Sequence, residues 1–380
     1  MAKFFASCSK GLRDALEQEI KDIGIQRVWS QGIEMGVYFE GSWRDCYMVN
    51  LKSRIASRVL LPILDFPAYN REELYNNVMK HDYTKYINVD QGIYVDANVA
   101  NSPKFRDQRF VAMVVKDAVV DQFREKYGER PDVDSRASLR LHLKMFKSQV
   151  SLAIDTSGYP LFQRGYREEK LEAPMKETLA AGLLQMTDWD GEQTIVDPMC
   201  GSGTFLIEAA LKWQKVAPGI GRKKFAFQDL KTFQADVFSE VLEECMAEER
   251  EEDEDQEPIF FGFDRSAKAI KVAKSNARKA GVDHLIEFKQ GDVINLENPI
   301  YGKGLIVTNP PYGERLSDPY DLQDLYKDFG HILKENFKGW TMWMISGNPD
   351  LPGHLRLKAS RKFPVNNGGL DCRFLKYEIN

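Results

Sequence analysis

From residue 165 onward, short apolar runs alternate with helical stretches, and this pattern leaves few folds open. Residues 194–196, 259–263, 286–289, 305–308 and 340–346 read as strands; helices are expected from Thr204, from Ser266 and over about 322–337. Strands separated by helices must cross over between neighbours, so the pattern predicts a parallel, doubly wound α/β sheet of Rossmann type. The last runs, 358–365 and 371–379, suggest a closing hairpin. The preceding part has a different texture. Residues 3–9 and 35–40 are strand-like, 12–23 has helical spacing of Leu12, Leu16, Ile20 and Ile23, and Ser42 can cap a helix to about residue 53. Then come a strand at 58–65, a helix at 72–79, a strand at 92–99 and a long helix at 109–126 with Phe110, Val114, Ala118 and Val119 near one face. In LRLHLKMFKSQVSLAID (139–155), Leu139, Leu141, Leu143 and Met145 alternate with Arg140, His142 and Lys144, the period-2 pattern of a half-exposed strand; a turn near 147–149 leads into a second strand. An α+β region ahead of an α/β domain is the expectation.

With 380 residues, two or three domains are expected, and 43% hydrophobic residues exclude a mainly disordered chain. Cys8, Cys46, Cys200, Cys245 and Cys372 lie far apart and form no C-x-x-C pair, which fits neither a zinc site nor a disulfide framework. The five histidines show no metal spacing, so no metal is assigned. MAKFFASCSKGLRDALEQE lacks the apolar core of a signal peptide, and no run approaches the roughly 20 apolar residues of a membrane span. A cytoplasmic chain without membrane contact is expected.

The glycine turn in IVDPMCGSGTFL (195–206) follows the first strand of the alternating region and opens a helix. Gly201 and Gly203 would let a ligand approach the backbone. A phosphate-cradling loop needs Gly-Lys-Ser/Thr, and no lysine is present; a dinucleotide fingerprint needs a third glycine where Leu206 stands. Asp197 would repel phosphate and attract an ammonium group, so a nucleoside carrying an amino acid, such as S-adenosylmethionine, fits better. An ordinary tight turn is the plainer alternative. Asp264 and Asp292 end the next two strands. A carboxylate after the second strand can take both ribose hydroxyls, and one after the third can accept the adenine amino hydrogens. Each acid alone would more often be a helix cap; their order after a glycine turn is what distinguishes them.

Asn309-Pro-Pro-Tyr-Gly follows the strand at 305–308. Two prolines fix the backbone and remove two amide donors. The Asn309 side-chain oxygen and the Pro310 carbonyl could accept both hydrogens of one planar amino group, with Tyr312 offering a stacking face. That suits methylation of an exocyclic base amine, whose lone pair is delocalised into the ring until two acceptors localise it. No strong general base is required. A rigid Pro-Pro loop is the plain alternative.

DPMCGSGTF, FGFDRSA, QGDV and NPPYG together resemble the successive motifs of class I S-adenosylmethionine-dependent methyltransferases that modify base amino groups. QRGYREEKLEAPMKETLAAGLL (163–184) is similar to the segment before the catalytic domain in THUMP-domain RNA methyltransferases, and VSLAIDTSGYPLFQRGYR resembles the end of a THUMP module. Bacterial 23S ribosomal RNA guanine-N2 methyltransferases are the nearest group; such sequences are often labelled adenine-N6 DNA methylases. The resemblance implies a ferredoxin-like part at 1–57, a THUMP RNA-binding domain at 58–160 and a methyltransferase domain at 161–380. It also implies S-adenosylmethionine as cofactor and RNA as partner. Asp197, Pro198, Cys200, Gly201, Ser202, Gly203, Thr204 and Thr178 would surround the methionine part, Asp264 and Arg265 the ribose, and Asp292 with Val293 the adenine. Asn309, Pro310, Pro311 and Tyr312 would grip a flipped base. Asp264 follows Asp197 by 67 residues rather than the usual 20 or so. The interval near 212–258 is therefore expected to be an insertion in the catalytic domain.

The formal net charge of −5 argues against a nucleic-acid partner. However, AEEREEDEDQE (247–257) carries eight acids and one arginine, and without it the chain is +2. Such a block is expected to be a solvated loop. Through residue 165 there are 24 basic and 21 acidic side chains, a net of +3. Lys104, Arg106 and Arg109, interleaved with Phe105 and Phe110, and Arg140 and Lys144 on the alternating strand are candidate RNA contacts. The sequence thus favours guanine-N2 methylation of ribosomal RNA. Transfer-RNA guanine-N2 methylation, DNA adenine-N6 methylation and an idle RNA-binding assembly factor are the alternatives.

Overall fold

The computed structural model describes residues 1–380 except 33, 134–136, 168–174, 252, 254, 301 and 312–318. Two compact units are interleaved along the chain. Met1–Ser7, Ile20–Leu161 and Arg222–Glu243 form the first; Cys8–Glu19, Phe162–Gly221 and Glu244–Asn380 form the second.

The first unit is built on one sheet. Its strands are β1 (Ala2–Ser7), β2 (Arg27–Trp29), β3 (Gly36–Gly41), β4 (Arg58–Pro67), β5 (Ile93–Ala100), β6 (Leu139–Phe146) and β7 (Gln149–Asp155), in the order β2-β3-β1-β4-β7-β6-β5. Only the β5–β6 pair of this sheet is parallel. The expected alternation holds on β6: Leu139, Leu141, Leu143 and Met145 are fully or almost fully buried. The helix α1 (Arg13–Asp22), most of which belongs to the second unit, carries Leu16 and Ile20 of the expected apolar stripe, and Leu12 precedes it; all three are fully buried. Ser42 caps α2 (Trp43–Lys52) in a reciprocal box with Asp45: Asp45 N–H donates to Ser42 Oγ, and Ser42 N–H to Asp45 Oδ2 at 2.6 Å. Helices α3 (Arg71–Met79) and α4 (Gln108–Tyr127) pack together. Val111, Val114, Val115, Ala118, Val119 and Phe123 point inward on α4. Phe110, expected near that face, is 39% exposed instead, because it lies in the first turn, before the inward stripe begins.

The interval expected to be an insertion within the catalytic domain divides between the units. Residues 222–243 complete the first unit, where Phe227, Phe233 and Phe238 pack around Tyr47 of α2 and Phe225 stacks on Phe227. Phe227 and Tyr47 have ring centroids 4.6 Å apart, and both are fully buried. Backbone bonds from Phe227 N–H to the Thr156 carbonyl (3.0 Å) and from Gln234 N–H to Tyr47 Oη (3.0 Å) fix the segment. It runs into α7 (Ala235–Ala247), after which the described residues of the acidic run are largely exposed, as a solvated block should be.

The second unit is the doubly wound sheet. Its strands are β8 (Ile195–Asp197), β9 (Phe260–Asp264), β10 (Ile286–Gln290), β11 (Leu305–Thr308), β12 (Thr341–Ser346), β13 (Ala359–Asn367) and β14 (Leu370–Glu378), in the order β10-β9-β8-β11-β12-β14-β13. Strands β8 to β12 run parallel, and the β13–β14 hairpin closes the sheet antiparallel to β12. Helices α5 (Glu177–Met186), α6 (Thr204–Trp213), α8 (Ala267–Lys279) and α9 (Pro319–Asn336) accompany it. One face is filled by Phe329, Leu333, Phe337, Trp340, Met342 and Met344. From β8 the chain winds outward to β9 and β10, then returns to the other side of β8 as β11. The reversal opens a crevice at the carboxyl ends of β8 and β11, where such sheets bind ligands.

Candidate active site

Asp197 closes β8 at that crevice and is 2% exposed. It accepts a hydrogen bond from Met199 N–H at 3.2 Å. Burial pushes its carboxyl up to about 7, and the neighbouring Asp264 charge adds to the rise. The loop that follows is tied to the next strand: Cys200 N–H donates to the Phe263 carbonyl (2.8 Å) and Gly201 N–H to Asp264 Oδ2 (3.0 Å). Burial also raises the Cys200 thiol, so it is a packed neutral group.

The two glycines of the turn do different things. Both have left-handed backbones, Gly201 with φ 53° and Gly203 with φ 79°. A Cβ on Gly201 would meet no atom within 4 Å, so this residue borders open space. A Cβ on Gly203 would lie 2.8 Å from Phe288 Cζ and 3.2 Å from Ala273 Cβ, while Gly203 N–H bonds the Cys200 carbonyl. A side chain at Gly203 would therefore collide with the packed Phe288 ring, so this position needs glycine for packing as well as for its left-handed backbone. Gly262 on β9 completes the same notch, since its Cβ would lie 2.6 Å from Phe288. Nothing in the sequence had marked Gly262 or Phe288.

Asp264 accepts from Ser266 N–H with Oδ1 (2.9 Å) while Oδ2 holds Gly201. Each carboxylate oxygen has a second lone pair, so Asp264 can brace the loop and still receive ribose hydroxyls. Asp292 is exposed and caps a short turn through Ile294 N–H, beside buried Val293; Arg265 is exposed, and Pro198 is buried. Thr178, on the first turn of α5, is 1% exposed, and its Oγ1 has no hydrogen-bond partner among the described residues.

A buried polar network lies beneath the turn. Arg167 Nη2 donates to Thr204 Oγ1 and to the Met175 carbonyl, both at 3.0 Å, and its Nε lies 3.6 Å from Glu177 Oε1. Ser202 Oγ is 3.2 Å from Thr204 Oγ1, and Asn276 Nδ2 donates to the Ser202 carbonyl at 3.1 Å. Arg164 and Tyr166 both reach Glu208 Oε1, at 3.6 and 3.1 Å. Burial raises the Glu177 carboxyl and Arg167 pulls it back. Sequence reasoning noticed this segment only as a resemblance and assigned Arg167 no part.

Across the crevice, Asn309 follows β11. Its Oδ1 is buried without a hydrogen-bond partner among the described residues, a costly state unless a donor arrives. Pro310 is buried, and the carbonyl of exposed Pro311 accepts from Tyr326 Oη of α9 at 3.2 Å, which fixes the loop. Tyr312, expected as the stacking face, lies outside the described residues.

In the first unit, Lys104, Arg106 and Lys144 are exposed. Arg109 is exposed but paired with Asp107 (2.9 Å), and Arg140 is half-buried with its guanidinium over Tyr94 (4.7 Å) and Tyr159 (5.8 Å). Phe105, expected as a stacking partner, is 4% exposed and belongs to the core; interleaving with basic residues did not mean sharing their face. Among the described residues no cluster of His, Cys, Asp and Glu could hold a metal, and no helix is long and apolar enough to cross a membrane.

A parallel sheet reversed at β8, a glycine turn, acids at the next two strand ends and Asn-Pro-Pro after the fourth define a Rossmann-like methyltransferase domain, here preceded by an α+β region. A family model described as "RMKL-like, methyltransferase domain" matches residues 164–376, one described as "RlmL ferredoxin-like domain" matches 3–60, and a THUMP domain model matches 68–155. The chain belongs to the RMKL-like methyltransferase family. It is 40% identical to the ribosomal RNA large subunit methyltransferase K/L of Syntrophotalea carbinolica over 99% of its own length, but covers 53% of that relative. This chain thus spans about half the length of the K/L relatives it matches. A putative RNA methyltransferase of Synechocystis, slr0064, is 37% identical, with 99% of this chain and 96% of that one covered. The crystal structure of SMU.472, a putative methyltransferase complexed with SAH, superposes with a TM-score of 0.89 at 27% identity, covering 100% of this chain and 98% of that one.

Proposed function

We propose that this protein transfers a methyl group from S-adenosylmethionine to the exocyclic N2 amine of a guanine in large-subunit ribosomal RNA. The observation that carries the proposal is the buried Asn309 Oδ1, left without a donor at the switch point where Asp197 ends the adjacent strand. A base amine is a donor of the right kind. The K/L names of relatives matched along the whole of this chain, though over about half of their own length, support ribosomal RNA as the polymer, and the THUMP match supports RNA in general.

The residues fit the cofactor. Gly201 borders open space, Thr178 Oγ1 is an orphaned polar atom, and Asp197 and Asp264 supply carboxylates where an ammonium and a ribose need them. When bound, S-adenosylmethionine supplies an electrophilic methyl on sulfonium. The protein's part is alignment. Asn309 Oδ1 and the Pro310 carbonyl accept the two amine hydrogens and localise the nitrogen lone pair, while Tyr312 stacks on the base. Lys104, Arg106 and Lys144 contact phosphates in the first unit. Such a reaction places the protein in the cytoplasm.

The test is transfer of labelled methyl to RNA from a strain lacking the protein, with digestion to identify the modified nucleoside. N2-methylguanine in large-subunit RNA is the expected product. Label only in transfer RNA, or N6-methyladenine in duplex DNA, would overturn the substrate assignment.

A further inference from the structure

A second concavity of the second unit lies one strand over from Asn309. In the β11–β12 register Thr308 pairs with Met344, and Ser346, two residues further along β12, lines a groove of about 1010 Å³. That volume lies at the top of the range for sites that enclose a whole small ligand, well beyond a single base. The β13–β14 hairpin contributes Lys362, Pro364 and Arg373 to the groove's lining, all on one face. The near wall is a fixed loop: Ser346 Oγ donates to the Asn348 carbonyl (2.8 Å), and Asn348 Oδ1 accepts from Asp350 N–H (2.8 Å) and Leu351 N–H (3.2 Å).

The charges in this groove are uneven. Lys10 is neutralised by Asp371 at 3.1 Å. Lys362 and Arg373 are exposed, and among the described residues no carboxylate pairs with either; Asp350 is the remaining acid. Arg361, the neighbour of Lys362, is by contrast committed to Asp188 at 3.7 Å. Phe363 stacks on Trp343 at 6.0 Å, on the opposite face of the hairpin from Lys362 and Arg373.

We propose that this groove holds the single-stranded RNA next to the methylated nucleotide, with Lys362 and Arg373 on its phosphates. The inference rests on the RNA-methylation reading and extends it. A base can reach Asn309 only when flipped from its stack, so the adjoining strand must be received along a surface continuous with that strand end. Two cations with no carboxylate partner among the described residues, on one face of a hairpin beside a rigid rim, suit a backbone-tracking, sequence-tolerant single-strand site.

The test uses the full chain and fluorescein-labelled, unmodified large-subunit RNA fragments tiled across the molecule. Lys362→Gln with Arg373→Gln should weaken RNA affinity roughly tenfold and reduce the slope of log K against log salt by about 1.4, the share of two single-strand phosphates. Binding of S-adenosylhomocysteine should stay at the wild-type level, which also shows that the variant is folded, and KM for RNA should rise with the loss of affinity. Arg361→Gln, on the same strand, should change neither affinity nor slope. If wild type methylates RNA and the double variant binds it with unchanged affinity and slope, the groove is overturned while the function stands. Equal losses in Arg361→Gln would also overturn it, by reducing the effect to general charge. If wild type neither binds nor methylates any fragment, both readings fall together.

Discussion

At the residue scale, the proposed roles of Asn309 and Asp197 each make a separable prediction. Asn309→Ala removes one acceptor from the amine, so kcat should fall about 100-fold or more, comparable to losing one aligned group in other active sites, with cofactor affinity unchanged. Single-turnover methylation with isothermal titration of S-adenosylhomocysteine checks both halves. A variant that methylates as well as wild type would remove Asn309 from the reaction. Asp197 predicts a pH dependence. Its carboxyl sits at about 7 in the fold against 3.8 ordinarily, because burial penalises the charge. The folded state therefore binds the proton more tightly than the unfolded state, and stability should decline as pH rises through the window from about 4 to about 7. Asp197→Asn should flatten that part of the profile in urea unfolding. A ligand ammonium favours the ionised form, so S-adenosylhomocysteine should bind more tightly at pH 8 than at pH 6 in wild type and lose that dependence in the variant. Both positions were legible in the sequence because a strand end, an acid and a Pro-Pro turn are local signals. The failures at this scale were matters of facing. Phe105 and Phe110 look alike in the sequence, yet one is in the core and the other is exposed, because only tertiary packing decides which side of the chain turns inward.

At the element scale, strands β8 to β12 were readable from apolar runs, since strands covered on both faces need almost no polar residues. The hairpin β13–β14 was readable too. What periodicity could not separate was the division of labour within the glycine turn, where spelling is identical and surroundings differ. Gly203→Ala and Gly262→Ala each drive a methyl into the Phe288 ring and should destabilise by about 1–3 kcal/mol. Gly201→Ala meets open space and should cost about 1–2 kcal/mol, from its left-handed backbone alone, while weakening cofactor binding. Urea midpoints and cofactor titration on the three variants check this contrast. Equal effects on binding from all three would mean that the notch and the cradle are one feature. The Arg167–Thr204 and Arg167–Glu177 contacts escaped the sequence because a lone arginine before a helix carries no period and no spacing rule.

At the scale of the whole molecule, the most informative departure is the segment 222–243. Its length was visible as a displaced ribose acid, but its destination was not: four phenylalanines in a stretch without helical or strand period reveal burial without naming a partner. Phe227→Ala empties a fully buried ring site beside Tyr47 and should destabilise the first unit by about 3–5 kcal/mol. Exchange protection of β6 and β7 amides would report it, and unchanged protection would mean that the cluster is dispensable. The overall charge of −5 also changes its meaning at this scale, because the acidic run follows α7 as an exposed stretch and leaves the candidate RNA surfaces with their own local balance.

The interleaving of the two units has a consequence for synthesis. Residues up to 161 leave the ribosome without the segment that closes the first unit's aromatic cluster, and that segment ends at 243. At translation speeds of roughly 5–20 residues per second, the gap is roughly 4–16 seconds. During that interval Tyr47 keeps Trp43 beside it but lacks Phe227, Phe233 and Phe238, while the glycine turn at 195–206 is made before the missing segment is complete. The nascent chain must therefore hold one half-finished core open while the next begins, and slow codons between 161 and 243 would prolong the aggregation-prone stage of the molecule's life.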